Sequence, residues 1–430
     1  MNRRTAYEVA KRAADLSLAL LLLAIVIPVA LLALAPARGL AWPRLAASLC
    51  VGRAGRRFVV RCELIRPAGS RLIDGIAHSW LPHWPMLLSI VAGHASFVGP
   101  RILSVEEAQA LPESDRDRFV VLPGLFCFWW LQRRANIDFD SEADSDRRYL
   151  RERSLRTDLA ILLRALVATV YGRPRGNPQA ALHIAGIRLL NLGMDELVAA
   201  IDAAVASGTR TQIAFVNPAC VNIAAADPLY RATLAHADWV CPDGIGMMIA
   251  GRILRRPIRQ NLNGTDLFPR LCATAAHHGH RIYLLGARPG VAEAVSRWAR
   301  GRFPTLRIAG TRSGYFDAAN TDEVVAEIRD SGADILLVAM GVPHQDLWLR
   351  HNLKRTGATV GIGVGGLFDF YSGRIPRAPL WLREIGGEWV WRLLQEPHRM
   401  WRRYLVGNAV FIWRIVRERW GTQVASGTLR

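Results

Sequence analysis

The sequence predicts an α/β fold built in two parts. The C-terminal half reads as a mostly parallel sheet with helices on both faces; an α-rich, membrane-associated domain precedes it. Three observations carry this. From about Ala181, short β-prone apolar runs alternate with amphipathic segments, as in a parallel sheet crossed by helices. The N-terminus holds one long apolar run. Between the two lies "YGRPRGNPQAA" (Tyr171–Ala181), rich in Gly, Pro and Arg, which reads as a linker. With 430 residues the chain exceeds one ordinary core, so two domains are expected.

The apolar run is "ADLSLALLLLAIVIPVALLALAPARGL", roughly 20 residues and long enough to span a bilayer. No small-x-small cleavage site closes it, which argues against a signal peptide. Pro28 near its middle removes a helix hydrogen bond. Arg3, Arg4, Lys11 and Arg12 precede it, and Arg38 and Arg44 follow. The positive-inside bias then places both ends on the cytoplasmic side. The expectation is a re-entrant helix broken at Pro28; the alternative is one kinked transmembrane helix.

Net charge is +19, with Arg far ahead of Lys. An excess of this size implies an anionic partner: lipid headgroups, nucleic acid or a phosphorylated substrate. The apolar N-terminus and the lack of a recognition motif exclude nucleic acid. Six cysteines are scattered without C-x-x-C or histidine at ligand spacing, which fits free thiols in a reducing compartment and no zinc site.

Several stretches of the first half come in a telling order. "AKRAADLSLALLLLAIVIPVALL" opens it, followed by "VGRAGRRF" (Val51–Phe58) and "SFVGPR" ending at Arg101. "RFVVLPGLFCFWW" (Arg118–Trp130) and "DRRYLRERSLRTDLAILLRALVATVYG" close it. Over about residues 8–172 this resembles the bacterial sugar transferases, membrane-bound phosphoglycosyl transferases. That family places an Asp-Glu pair just before Leu-Pro, as nucleophile and magnesium holder. Here the pair falls on Pro82 and His83. Proline can do neither job, and a lone histidine between Trp80 and Trp84 is more readily packing or interfacial. "DFD" at Asp138–Asp140 sits in an acidic loop and reads as solvated. The first half is therefore expected to be a degenerate, membrane-seated platform.

In the second half the β-prone runs are "QIAFVN", "DWVCP", "RIYLLGA", "LRIAGT", "ADILLVAM" and "TVGIGVGG". Ligands of such sheets bind beyond the carboxyl ends of the strands. Polar residues stand there: Asn217, Asp243, Gln345 and Asp369, with Gly286 after the third run. "LLGARPGVAEAV" is strand, glycine turn and helix, equally a phosphate cradle or an ordinary tight turn.

The motifs "VNPACVNIAAADPLY", "CPDGIGM", "NGTDLFPRL", "YLLGARPGVAEA", "MGVPHQDLWL", "GVGGLFDFYSGRIPRAP" and "GEWVWRLLQEPHRMWRRY" together resemble the WecB/TagA/CpsF glycosyltransferases, glycosyltransferase family 26, over about residues 185–405. The resemblance implies a Rossmann-like sheet and an inverting transfer from a UDP-sugar donor to a polyprenyl-pyrophosphate-linked acceptor, with no cofactor and no obligatory metal. It implies that Asp243 is the general base, removing the acceptor hydroxyl's proton. Asn217, Gln345 and Asp369 match substrate-pocket residues. Arg392, Arg399 and Arg402 match appendage arginines that hold the charge of UDP or of the lipid pyrophosphate. Two departures stand out. Asn261 replaces the family's usual Arg, with Arg259 nearby, and Pro343–Asp346 reads P-H-Q-D rather than P-R-Q-E.

In the tail, Trp401, Leu405, Ala409, Ile412 and Val416 recur at three-to-four spacing among arginines. This suits either an anionic membrane surface or a helix docked on the enzyme's own core. The expected domains are 1–172 (sugar-transferase-like), 173–182 (linker), 183–380 (glycosyltransferase) and 381–420 (basic appendage). Together these place an inverting hexosyltransferase of surface-polysaccharide synthesis at the cytoplasmic face of the inner membrane. Whether it is a homo-oligomer stays open. Two rivals stay open as well: a bifunctional enzyme using Asp74 or Glu63 as surrogate carboxylate, and a non-catalytic scaffold.

Overall fold

The computed structural model describes residues 3–34, 44–65, 85–135, 141–171 and 181–427. Trp80, Pro82, His83, Trp84, Asp74 and the Asp138–Asp140 triplet lie outside these, as does most of the expected linker. The chain packs as two compact units, Met1–Arg134 with Asp138–Val170, and Ala135–Ile137 with Tyr171–Arg430.

The first unit runs α1 (Arg3–Leu34), β1 (Arg44–Val51), β2 (Arg57–Ile65), α2 (Pro85–Val91), β3 (Ser96–Val98), β4 (Leu103–Ser104), α3 (Val105–Gln109), β5 (Gly124–Phe126), α4 (Phe128–Ala135), α5 (Glu142–Glu152) and α6 (Leu155–Tyr171). Strands β2, β1 and β4 form an antiparallel sheet, and β3 pairs in parallel with β5. The surrogate candidate Glu63 falls within β2.

The K-R-x-x-D motif is a docking device. Lys11 pairs with Asp158 at 2.7 Å, and Tyr7 donates to the same carboxylate at 2.9 Å. Arg12 donates to the carbonyls of Ile90 and Val91 at 2.5 and 2.9 Å. Asp15 is buried and accepts from Ser96 Oγ at 2.7 Å and from Phe97 N at 3.2 Å. Past this polar half, Leu20, Leu21, Ile25 and Ile27 are exposed.

The helix is not broken at Pro28, as the sequence suggested; it carries the proline inside it and continues to Leu34. Proline removes one ladder bond, and here the helix absorbs that loss. Among the described residues no helix is long and apolar enough to cross a membrane.

The V-G-P-R and L-P-G motifs also hold structure. A Cβ on Gly124 would stand 2.0 Å from Gly99 N, so only two glycines allow β3 and β5 to approach this closely. Arg101 and Arg118 share Glu142 at 2.9 and 3.0 Å, and Arg118 also meets Asp146 at 3.2 Å.

The second unit opens with the hairpin β6 (Ala181–Ile184) and β7 (Ile187–Leu190), then α7 (Met194–Ser207). It continues β8 (Thr211–Val216), α8 (Pro218–Ala226), α9 (Pro228–His236), β9 (Trp239–Pro242), α10 (Ile245–Ile253), α11 (Gly264–His278) and β10 (Arg281–Gly286). Next come α12 (Val291–Arg302), β11 (Arg307–Arg312), α13 (Thr321–Asp330), β12 (Ile335–Ala339), α14 (His344–Asn352), β13 (Val360–Gly363) and α15 (Leu367–Tyr371). The appendage is α16 (Leu380–Glu384), α17 (Glu388–Gln395), α18 (Pro397–Trp401), a π-helical turn over Arg402–Val406 and α19 (Gly407–Gly427).

Six parallel strands form one sheet in the order β11-β10-β12-β13-β8-β9. Ile213 and Phe215 of β8 enter the core with α7, α11 and α12, while Ala214 and Val216 face α8, α9 and α10. In β12, Ile335 and Leu337 join the first core, and Leu336 and Val338 pack with α13 and α14. Burial on both faces explains why these strands read as unbroken apolar runs.

Helix α19 docks on this core. Phe411 and Ile415 are fully buried with α8, α9 and α10. Asn222 donates to Gly407 O at 2.7 Å, and Glu418 takes Arg256 at 2.9 Å and Ala185 N at 2.8 Å. The stripe read from sequence is not the docked face: Trp401, Leu405 and Ala409 are exposed and Ile412 is only half-buried. The π turn adds a residue to the helical repeat and rotates everything after it. Val406, Val410, Trp413 and Trp420 are exposed as well.

Candidate active site

Three strand ends define the site. β8, between β13 and β9, ends at Val216, and Asn217 caps α8: its Oδ1 accepts from Ala219 N at 3.1 Å and Cys220 N at 3.2 Å. β9 ends at Pro242. Asp243 N then donates to Val216 O at 2.8 Å, carrying the pairing one residue further and setting the two loops side by side. The Asn217 side chain acts on the Asp243 carboxylate and favours its charged form.

Asp243 is half-buried. Burial pushes its pKa up to about 6; Asn217 opposes this, the nearby negative charge of Glu388 adds to it, and the Arg403 guanidinium opposes it. A carboxylate poised near neutrality at a strand end suits a general base.

Asn261 now has a place. Its Oδ1 accepts from Gly244 N at 2.6 Å, fixing the loop that carries Asp243. Arg259 does not stand in for an active-site arginine: it pairs with Glu196 at 2.6 Å and is exposed.

Gln345 is buried and accepts from Gly365 N at 2.9 Å, so its carbonyl supports the loop after β13 from beneath. Its neighbour Asp346 is buried too, takes the Tyr230 hydroxyl at 3.1 Å, and has its pKa pushed up to about 7 by burial. Asp369 is half-buried at the same end and pairs with Arg374 at 2.8 Å.

The appendage arginines divide. Arg392 is half-buried against Gly366, where a Cβ would come within 2.7 Å of Nη2, and it lies over the Phe370 ring at 5.5 Å. It is thus at the mouth of β13. Arg399 is exposed and pairs with Glu396 at 3.3 Å; Arg402 is exposed and lies over Trp401 at 5.3 Å. Arg403, which the sequence reading passed over, is half-buried on the π turn and acts electrostatically on Asp243. Arg402 and Arg403 are indistinguishable in sequence; the π turn decides which faces inward.

Sequence reasoning also missed a buried charge chain. Asp266, from "NGTD", bonds Arg377, from "GRIPRAP", and Arg377 meets Glu388, from "GEWVW", at 3.5 Å. Arg377 is held well above the usual arginine range despite its burial, by Asp266 and Glu388. Burial and then Arg377 hold Arg383 below that range. The Nε atoms of Arg383 and Arg403 are buried without a hydrogen-bond partner among the described residues. Such donors cost free energy until an anion takes them.

The sequence profile of the glycosyl transferase WecG/TagA/CpsF family matches residues 182–425, and that of the bacterial sugar transferases matches residues 76–172. Three similar proteins share one name, N-acetylglucosaminyldiphosphoundecaprenol N-acetyl-beta-D-mannosaminyltransferase. That of Bacillus subtilis (strain 168) is 33% identical over 193 residues, 45% of this chain and 74% of the relative. That of Bacillus spizizenii is 36% identical over 194 residues, with the same coverage, 45% and 74%. That of Staphylococcus aureus (strain MW2) is 29% identical over 243 residues, 56% of this chain and 94% of the relative. A profile match that covers more than half of the chain and most of the second unit makes this chain a member of the glycosyl transferase WecG/TagA/CpsF family.

Proposed function

We propose that the chain is an inverting glycosyltransferase that moves a sugar from a UDP-sugar onto a polyprenyl-diphosphate-linked sugar, in synthesis of a surface polysaccharide. The relatives' name describes transfer of N-acetylmannosamine to N-acetylglucosaminyldiphosphoundecaprenol, and this chain carries out a reaction of that class. The observation that carries the reading is Asp243: a carboxyl at the carboxyl end of β9 whose pKa burial raises to about 6, with Asn217 and Arg403 both opposing that rise. Asp243 takes the acceptor hydroxyl's proton as that oxygen bonds the anomeric carbon. The bond to UDP breaks on the opposite side. Arg403, Arg383 and Arg392 hold the negative charge that leaves.

The first unit is read as a membrane-seated platform. The exposed apolar half of α1, flanked by positive charge on both sides, supports seating in the cytoplasmic leaflet. On α6, Leu159, Leu163 and Leu166 add a second exposed apolar stripe. On α19, exposed Val410, Trp413 and Trp420 beside Arg417 suit the same surface. Anchoring keeps the enzyme close to its lipid acceptor.

The test is a panel of UDP-sugars with the full chain and a short polyprenyl-diphosphate-linked acceptor, product read by mass. Acceptor-dependent UDP release with a product heavier by one sugar is expected. Magnesium-dependent release of UMP from the UDP-sugar, with polyprenyl phosphate as acceptor, would instead assign the chemistry to the first unit.

A further inference from the structure

Away from the strand ends that carry Asp243, three ligand-type side chains converge at the opposite end of the sheet. Asp202 lies in α7, His278 is the last residue of α11, and His280 immediately precedes β10. His278 Nδ1 stands 2.5 Å and His280 Nε2 2.8 Å from the same oxygen, Asp202 Oδ1. One ligand atom from each residue falls within 4.8 Å of the other two.

We propose that Asp202, His278 and His280 form a binding site for a divalent transition-metal ion of the zinc class, which fastens α7 to the end of α11. Two imidazoles and one carboxylate are the donor set that zinc, cobalt and nickel prefer, whereas magnesium and calcium call for oxygen ligands throughout. As hydrogen bonds alone, both rings crowd a single carboxylate oxygen. A metal lets each neutral ring turn a lone pair inward instead. Tetrahedral zinc spaces its ligand atoms by about 3.3 Å, as follows from bonds of about 2.0–2.1 Å. Each ring nitrogen therefore needs to part from Asp202 Oδ1 by only about half an ångström to one ångström. Their exposures of 26, 43 and 14% leave room for that movement and for water in a fourth position.

The setting favours a cation as well. The carbonyl end of α11 points at the cluster, and the negative end of the helix dipole lies there. Lying beyond the amino end of β10, the ion would act as a structural clasp and take no part in sugar transfer.

The test uses the purified full chain with any affinity tag removed. Equilibrium dialysis against Zn²⁺ measures stoichiometry and affinity, the visible spectrum of bound Co²⁺ reports ligand geometry, and thermal unfolding is followed with Zn²⁺ and with chelator. Saturable binding of about one Zn²⁺ per chain is expected, with the strong visible bands of four-coordinate Co²⁺. The unfolding temperature should be higher in Zn²⁺ than in chelator. Asp202→Asn and His280→Gln should each weaken binding by at least about tenfold and abolish the thermal difference. His277→Ala, whose ring neighbours His278 at 4.8 Å, should leave both unchanged. Absence of saturable binding, or equal affinity in a folded His278→Gln/His280→Gln variant, overturns the proposal.

Discussion

Asn217 serves Asp243 and α8 with one side chain. Its Oδ1 closes the first turn of α8 through Ala219 N and Cys220 N, at 3.1 and 3.2 Å, and the same side chain favours the charged form of the Asp243 carboxylate. The helix cap therefore helps set the state of the base.

Replacing Asn217 separates the two roles. Asn217→Ala should cost about 1 kcal/mol of stability as a lost cap and also lower turnover. Asn217→Asp keeps the cap but puts a second carboxylate beside Asp243, and a like charge raises its pKa further. The acid limb of the pH–rate profile should then move upward, read from kcat/KM in overlapping buffers. An unmoved limb would detach Asn217 from the base.

In the wild type the base must be deprotonated to act. With its pKa at about 6, kcat/KM should fall as pH drops through 6 and level off above. Arg403 holds that pKa down, so Arg403→Ala should raise the limb and weaken UDP binding, while Arg403→Lys should largely preserve both. Arg399→Ala, at an exposed position, should leave the limb in place. Equal effects of the two alanine variants would remove Arg403 from the site.

The sheet was legible because strands buried on both faces must be apolar throughout, as Ile335–Ala339 is. The strand-end positions of Asn217 and Asp243 were legible because each follows an apolar run directly, and strand-end loops are where such sheets bind ligands. Arg403 was not, since only the π turn distinguishes it from Arg402. The contact joining Asp266, Arg377 and Glu388 spans over a hundred residues, and no local pattern announces it. Asn261 was read as a gap where an arginine was expected; its task, holding Gly244 N, depends on the fold of two loops. In the first unit, the residues Lys11, Arg12, Asp15, Gly99 and Gly124, which carried the resemblance to the sugar transferases, make packing and docking contacts.

Asn261→Ala should loosen the loop that carries Asp243. Losing the acceptor of Gly244 N costs about 1 kcal/mol or somewhat more, measurable by denaturant unfolding, and turnover should fall with donor affinity kept. Wild-type turnover in this variant would make the bond incidental.

Asp346 supplies a test independent of catalysis. Its carboxyl is buried, and its pKa is raised to about 7. Between the ordinary carboxyl range and 7 the native state holds the proton that the unfolded chain has lost, so stability falls as pH rises across that window. Asp346→Asn, which cannot ionise, should lose this dependence, and its stability relative to wild type should grow from pH 4 to pH 7. Parallel curves for the two proteins would show that Asp346 ionises in the fold as it does in water.

The most direct measurement is turnover of Asp243→Asn at saturating UDP-sugar and lipid acceptor, beside UDP-sugar binding by the same protein. The substitution keeps size and most hydrogen bonds but removes the basic oxygen. Turnover should fall by about 100- to 10,000-fold with donor affinity within a few-fold of wild type. Near-normal turnover would contradict the assignment of Asp243 as the base and, with it, the proposed mechanism.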